Sequence, residues 1–260
     1  MSAAEVHANS IIHPSARLGD GCRIGPFCVL GEGVELGPHC ELVSHVVIQG
    51  DTRIGEACRF FPFSAVGLEP QDLKYRGEPT RVRIGRANQF RENCTVHAGT
   101  TGGGGTTTIG DANLFMAYTH VAHDCEVGSH TIFANAATLA GHVRVEDHAV
   151  IGAFSGVHQF CRIGSHAYIG GYSVITQDAL PYVLTVGNRA RAFGINLVGL
   201  KRKAFPEPTI AALKNAYRLL FHSKLTTSRA LEQIDRELGD VSEVVKLSAF
   251  IRASQRGIVK

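Results

Sequence analysis

The stretch IIHPSARLGDGCRIGPFCVLGEGVELGPHC, residues 11–40, returns a large apolar side chain at every sixth position. Ile12, Leu18, Ile24, Leu30 and Leu36 mark the steps, and glycine follows directly at Gly19, Gly25, Gly31 and Gly37. The beat continues through Leu42, Ile48, Ile54 and Phe60 to Val66, resumes at Ile84, Phe90 and Val96, and then runs unbroken from Ile109 to Ile175. These runs hold 10, 3 and 12 positions, 25 in all. A period of six fits neither the 3.6 of a helix nor the 2 of an alternating strand. It is a signature of a parallel β-helix, in which each hexad is a short strand and a turn, and stacked coils pair edge to edge. The sixth residue faces a narrow core, where each buried side chain contributes about 1.5–3 kcal/mol before entropy is subtracted.

This period resembles that of the left-handed β-helix hexapeptide-repeat acyltransferases. The resemblance implies three hexads per triangular coil of 18 residues, and so about eight coils from 25 hexads. The same spacing places the cysteines. Cys22, Cys28, Cys40, Cys58, Cys94, Cys125 and Cys161 each fall four residues after a step residue, a slot filled elsewhere by Ala16, Val34, Thr52, Ser64 and Ala137. A slot for small side chains suits free cysteine, and there is no C-x-x-C pair, so neither disulfides nor thiolate metal sites are expected.

The beat breaks twice. GLEPQDLKYRGEPTRVR follows Val66, and GTTGGGGTTT lies between Val96 and Ile109. Long irregular insertions on a rigid scaffold are functional or flexible. The glycine run lacks the Lys-Ser/Thr and strand-to-helix setting of a phosphate cradle, which favours a flexible insertion. After Ile175 the hexads stop. Ile210, Leu213, Tyr217, Leu220 and Phe221 form one helical stripe, and Leu231, Ile234, Leu238, Val241 and Val245 another. Pro208 and the Thr-Thr-Ser at 226–228 stand where helices start. The expected fold is therefore mainly β: a left-handed β-helix over residues 1–190 with a loop insertion near 68–83, then a C-terminal α-helical domain over 191–260.

With 260 residues, 19% charged and 44% hydrophobic, the composition is globular. No basic start leads into a long apolar run, so neither signal peptide nor transmembrane segment is expected, and a cytoplasmic location follows. Charge is uneven. Residues 1–180 carry 12 Lys and Arg against 17 Asp and Glu, a net of −5, whereas residues 181–260 carry 14 against 6, a net of +8. A basic tail is either a solvated helical face or a docking surface for an acidic partner. Few aromatic residues and no recognised motif argue against nucleic acid.

THVAHDCEVG, residues 119–128, carries the most chemistry. Cys125 takes the small slot after Val121, whereas His123 and His120 stand two and five after a step residue, slots held elsewhere by Asp20, Glu32, Arg17 and Glu35. The thiol therefore points away from the histidines. Zinc held by His120, His123 and Cys125 would need tetrahedral convergence at about 2.0–2.3 Å, which the repeat opposes, so no metal is expected. Adding 18 residues moves one coil along the axis, about 4.8 Å. Above His123 come Gly141 and then Gln159; above Asp124 come His142 and then Phe160. His123, Gly141, His142, His158 and Gln159 thus gather on one edge. Such a ladder is either solvated polarity or a site, and it holds the parts that acyl transfer requires: a histidine base, an acid to fix its tautomer, and a bare glycine amide for an oxyanion.

Longer words narrow the resemblance. PQDLKYRGEPTRV at 70–82, HVAHDC at 120–125, ATLAGHV at 137–143, GVHQF at 156–160 and GLKRK at 199–203 are together similar to the UDP-N-acetylglucosamine acyltransferase family, which begins lipid A synthesis. The likeness spans nearly the whole chain. It implies transfer of an (R)-3-hydroxyacyl group from acyl carrier protein to the 3-hydroxyl of UDP-N-acetylglucosamine. By it, His123 is the general base, Asp124 orients it, and the Gly141 amide stabilises the oxyanion. It implies sugar, phosphate and acyl-chain contacts for His120, His142, His158 and Gln159, nucleotide contacts for Asn196 and Arg202, and a reach by Gln71, Asp72 and Lys74 into a neighbouring subunit's site. Gly171 matches a position that limits acyl length; without a side chain it leaves room for a chain of about fourteen carbons. The family forms homotrimers with sites between subunits and needs no cofactor, since the acyl group arrives on the carrier's phosphopantetheine. The basic tail would then meet the acidic carrier protein.

Two departures bear on the nucleotide. The family's acid two residues after Asn196 is Val198 here, and a common histidine is Arg189. Other readings of the pattern are the related N-acyltransferase, which carries an extra domain before its hexads, a coenzyme A-dependent acetyltransferase, a γ-type carbonic anhydrase with zinc on histidines, and a scaffold without catalysis.

Overall fold

The structure, a computed structural model, describes residues 3–260. Strands mostly two residues long stack into three sheets of eleven, nine and eight strands, the three faces of a left-handed parallel β-helix. The step residues align in register. Leu42, Phe60, Phe90, Phe115 and Phe133 run up the first face, Val66, Val96, Val121, Leu139 and Val157 up the second, and Ile54, Ile84, Ile109, Val127 and Val145 up the third. All are buried. The four phenylalanine rings stack with centroids 4.8, 4.7 and 4.7 Å apart. That is the spacing of the strands themselves, so the rings stack because the backbones do. The seven cysteines are buried and unpaired between these columns.

The ladder starts one hexad before Ile12: Glu5–Val6 pairs with Arg23–Ile24. Val6 keeps the beat but is 43% exposed and is followed by His7 in place of glycine, which hides it from a reading of periodicity. Most corners are turned by the third residue after a step. Asp124, His142 and Phe160 do so in successive coils at φ 57°, 62° and 65°. Side-chain-bearing residues seldom take this left-handed conformation, and here the ladder bonds above and below impose it.

The two breaks prove to be single steps with insertions. Val66 on the second face and Ile84 on the third are consecutive, so their interval of 18 is six plus twelve extra residues. Val96 to Ile109, an interval of 13, is six plus seven. Both insertions leave the corner between the second and third faces, in successive coils directly below the corner of His123.

At the other end, Val183–Gly187 and Ala190–Ile195 form an antiparallel hairpin that closes the first sheet; residue 190, the expected domain limit, is the first of its second strand. Helices follow: α1 (Leu197–Arg202), α2 (Glu207–Phe221), α3 (Thr227–Leu238) and α4 (Ser242–Arg252). Asn196 caps α1 by accepting from Gly199 N at 3.1 Å, Pro208 lies in the first turn of α2, and Thr226 caps α3. Leu200, Leu213, Ile234, Leu247 and Phe250 meet in a second core. Buried Asp178 ties this unit to the coils, accepting from Arg162 N and Ser254 Oγ, each at 2.8 Å. Among the described residues no helix is long and apolar enough to cross a membrane.

Candidate active site

The corner after Val121 holds His123 and Asp124, and the coil above it Gly141 and His142. The structure brings these four together. The Asp124 side chain is fully covered and that of His123 is 15% exposed, with His123 Nδ1 2.8 Å from Asp124 Oδ2. The other close partners of the carboxylate are donors. Thr100 N reaches both oxygens, at 2.9 and 3.0 Å, and Thr100 Oγ1 reaches Oδ2 at 2.6 Å. Asp124 N in turn donates to Thr107 Oγ1 at 2.8 Å. A carboxylate that accepts from all these groups accepts from His123 as well. The imidazole proton therefore sits on Nδ1, and the Nε2 lone pair is free.

Directly above, a Cβ on Gly141 would overlap the His123 ring, so this position is open only to glycine. The Gly141 amide donates no hydrogen bond to any of the described residues. His142 meets His123 edge to face at 5.1 Å, and Phe160, another coil up, stacks on His142 at 4.4 Å. His158 and Gln159 stand beside Phe160, exposed at the top of the same edge.

Below, His120 Nδ1 lies 2.7 Å from Thr95 Oγ1, and His97 meets the His120 ring edge-on at 5.0 Å. Burial, helped by the charges of His97 and His123, pushes the His120 pKa down to about 4. Burial likewise lowers His97 and His142, the latter partly countered by Asp124. These three imidazoles thus stay neutral near neutral pH and act as hydrogen-bonding groups rather than as charges. Cys125 points inward, donates to Ala140 O at 3.2 Å, and is pushed up to about 12 by burial. It is neither nucleophile nor ligand here. His123, Asp124 and His142 do offer ligand atoms within 4.8 Å of one another. The hydrogen bonds on His123 Nδ1 and on both Asp124 oxygens already occupy that set, and they suit it to proton transfer.

The remaining expected residues stand in three places. The first insertion overhangs the same corner: the charge of Asp72 is felt by His142, and Asp72 Oδ1 accepts from Lys74 N at 2.9 Å. Gln71 and Lys74 are exposed beside Leu73, which is 95% exposed. Gly171 lies beside Tyr172 at the corner between the first and second faces, exposed to solvent. Asn196 and Arg202 line a cavity of about 670 Å³ on the first face, with Val198, His148 and His166. The Asn196 amide is already engaged at both ends, capping α1 and donating to His166 O at 3.0 Å. One chain therefore does not bring Gly171, Asn196 and Arg202 to the His123 edge. Sequence reasoning missed Thr95, His97, Thr100, Gly103 and Thr107. The signal was there: the glycine run interrupts the corner one coil below His123, where Val96 pairs with Val121.

A histidine–carboxylate pair under a free amide, on the edge of a hexapeptide β-helix, defines the class of hexapeptide acyltransferases. Residues 15–50 and 142–177 match the bacterial transferase hexapeptide model, and residues 178–259 match the second domain of UDP-N-acetylglucosamine O-acyltransferases. An acyl-[acyl-carrier-protein]–UDP-N-acetylglucosamine O-acyltransferase from Thermodesulfovibrio yellowstonii is 47% identical over 98% of this chain and 99% of its own. The solved structure of LpxA from Acinetobacter baumannii superposes with a TM-score of 0.96 at 47% identity, over 98% of this chain and 99% of that one. The enzyme from Moraxella catarrhalis gives 0.94 at 42% identity, over 98% and 99%. The chain belongs to the UDP-N-acetylglucosamine O-acyltransferase family.

Proposed function

We propose that this enzyme transfers an (R)-3-hydroxyacyl group from the phosphopantetheine thioester of acyl carrier protein to the 3-hydroxyl of UDP-N-acetylglucosamine, the first step of lipid A biosynthesis. The observation that carries the mechanism is the His123 ring, bonded to Asp124 through Nδ1, lying under the unengaged Gly141 amide. His123 Nε2 takes the proton of the acceptor hydroxyl as its oxygen attacks the thioester carbonyl. The carbonyl oxygen gains the negative charge and accepts from Gly141 N–H. Asp124 holds the imidazolium through Nδ1–H. As the tetrahedral intermediate collapses, the C–S bond breaks and the carrier's thiolate takes the proton back from His123. No cofactor enters, because the substrate brings its own pantetheine.

The same reading makes the working enzyme a cytoplasmic homotrimer. Gly171, the Asn196–Arg202 cavity and the loop with Gln71, Asp72 and Lys74 lie on different edges of one chain, and adjacent copies would bring them to one substrate. The exposed Leu73 at the loop tip supports that, since an apolar side chain so placed gains by burial against a neighbour. The basic tail, +8 over residues 181–260, suits an acidic carrier protein. The test is mass spectrometry of the product from UDP-N-acetylglucosamine and a panel of hydroxyacyl carrier proteins. The expected product is the 3-O-acyl sugar nucleotide, and His123→Ala is expected to lose about 10²–10⁴-fold in rate. An unimpaired His123→Ala would remove the general base.

A further inference from the structure

We propose that Thr100, set by the glycine run that follows it, is a positioning residue for acyl transfer: it fixes the Asp124 carboxylate so that one face of Oδ2 is left for His123. The inference rests on the general-base reading of His123.

Of the hydrogen bonds within 3.0 Å that reach the Asp124 carboxylate, all but the one from His123 come from Thr100. Its N–H spans the two oxygens and its hydroxyl takes the same Oδ2 that receives His123 Nδ1–H. Two independent donors from one residue fix both the tilt and the rotation of the carboxylate plane, which a single donor would leave free to turn. Thr100 is itself held. It is 7% exposed, and its carbonyl accepts from Gly105 N at 2.8 Å and from Gly103 N at 3.0 Å.

The glycines are there for space and for reversal. A Cβ on Gly103 would run into the Asp124 carboxyl group, and one on Gly99 would come within 2.8 Å of Oδ1. Gly104 and Gly105, at φ 93° and 77°, turn the chain back over Thr100. The run read from sequence as a flexible insertion is thus a bare backbone lid on one carboxylate. A buried acid needs donors, and any donors would satisfy its desolvation. These donors do more, because they set the angle at which Asp124 meets the catalytic ring. Two-point fixation of this kind is how a supporting group sets the orientation of a base.

The experiment compares Thr100→Val, Thr100→Ser and Asp124→Ala with the double variant Asp124→Ala/Thr100→Val in the full-length enzyme, each checked for folding by circular dichroism. Thr100→Val keeps the backbone donor and the shape but removes the hydroxyl. Its kcat is expected to fall about ten- to a hundredfold, the span of a charge-assisted hydrogen bond, with KM for UDP-N-acetylglucosamine unchanged. Thr100→Ser should recover most of kcat. In the Asp124→Ala background Thr100→Val should cost nothing further, since the group it positions is gone. A Thr100→Val loss of equal size in both backgrounds, or no loss in either, overturns the proposal. Gly103→Ala, whose added methyl would meet the carboxylate itself, gives the same comparison if Thr100→Val does not fold. Wild-type kcat in Asp124→Ala would instead sink the pairing of His123 with Asp124, a separate outcome.

Discussion

Gly141→Ala is the smallest change that separates the position of the proposed base from its chemistry. The variant keeps the backbone amide, so the proposed oxyanion donor survives. What changes is space. A Cβ at this position comes 2.4 Å from His123 Cε1 and 2.6 Å from Nε2. Carbon contacts are comfortable from about 3.5 Å, so the ring must move by about 1.1 Å. It cannot slide freely, because Asp124 holds Nδ1 at 2.8 Å and His142 flanks it at 5.1 Å between ring centres. A misplacement of about 1 Å in a reacting group costs on the order of 10²-fold in rate. The folding cost of one added methyl in a tight site is about 1–3 kcal/mol. Steady-state turnover with a hydroxyacyl carrier protein should therefore show kcat reduced about a hundredfold in a protein that still melts cooperatively in urea. A folded Gly141→Ala with kcat within about threefold of wild type would refute the claim that the ring's place under this glycine matters.

Two further outcomes follow from other parts of the molecule. His120 titrates at about 4 in the fold, against 6.5 for a free imidazole. Because the fold depresses it, the unfolded chain takes up the proton first. Stability should hold above pH 6.5 and decline as pH falls from 6.5 towards 4, by about 3 kcal/mol at most from this group. Urea midpoints across that range should fall, and less so in His120→Gln; equal slopes for the two proteins would assign the decline elsewhere. At the acyl end, Gly171 leaves its corner open, and the wild-type enzyme is expected to favour chains of about fourteen carbons while Gly171→Leu shifts to about ten. Competition between carrier-bound acyl chains of different length reads this directly, and an unchanged preference in Gly171→Leu would remove Gly171 as the length determinant.

The fold was legible because a β-helix writes its geometry into spacing. One inward residue per hexad is enough to assign faces, and a constant coil length then stacks Gly141 over His123 and His142 over Asp124 by addition alone. That arithmetic fails wherever the coil length changes. Thr100 lies 24 residues before Asp124, across a coil with seven extra residues, and its hold on the carboxylate runs through a backbone N–H and a short hydroxyl that leave no periodic trace. His97 and Thr95 are hidden for the same reason. The place of Asn196 and Arg202 was also out of reach, because both follow Ile175, where the hexads stop and the coil length gives no guide. Asn196 shows a further limit: an asparagine at a helix start reads equally as a ligand contact and as a cap, and only coordinates show its amide spent on Gly199 and His166.

The coils below the first insertion place none of the described residues in the cluster around His123. Thr95, His97, Thr100 and Thr107 come from the coil directly beneath it, and Gly141, His142 and Phe160 from the two above. In a solenoid each layer leans only on its neighbours, so order can be lost from an end without spreading inward at once. The amino-terminal end is thinly covered, with Val6 43% and Ile11 68% exposed. Melting of that end would leave the catalytic layers standing, insulated by the coils between, and the enzyme would go on turning over while its first strands came and went.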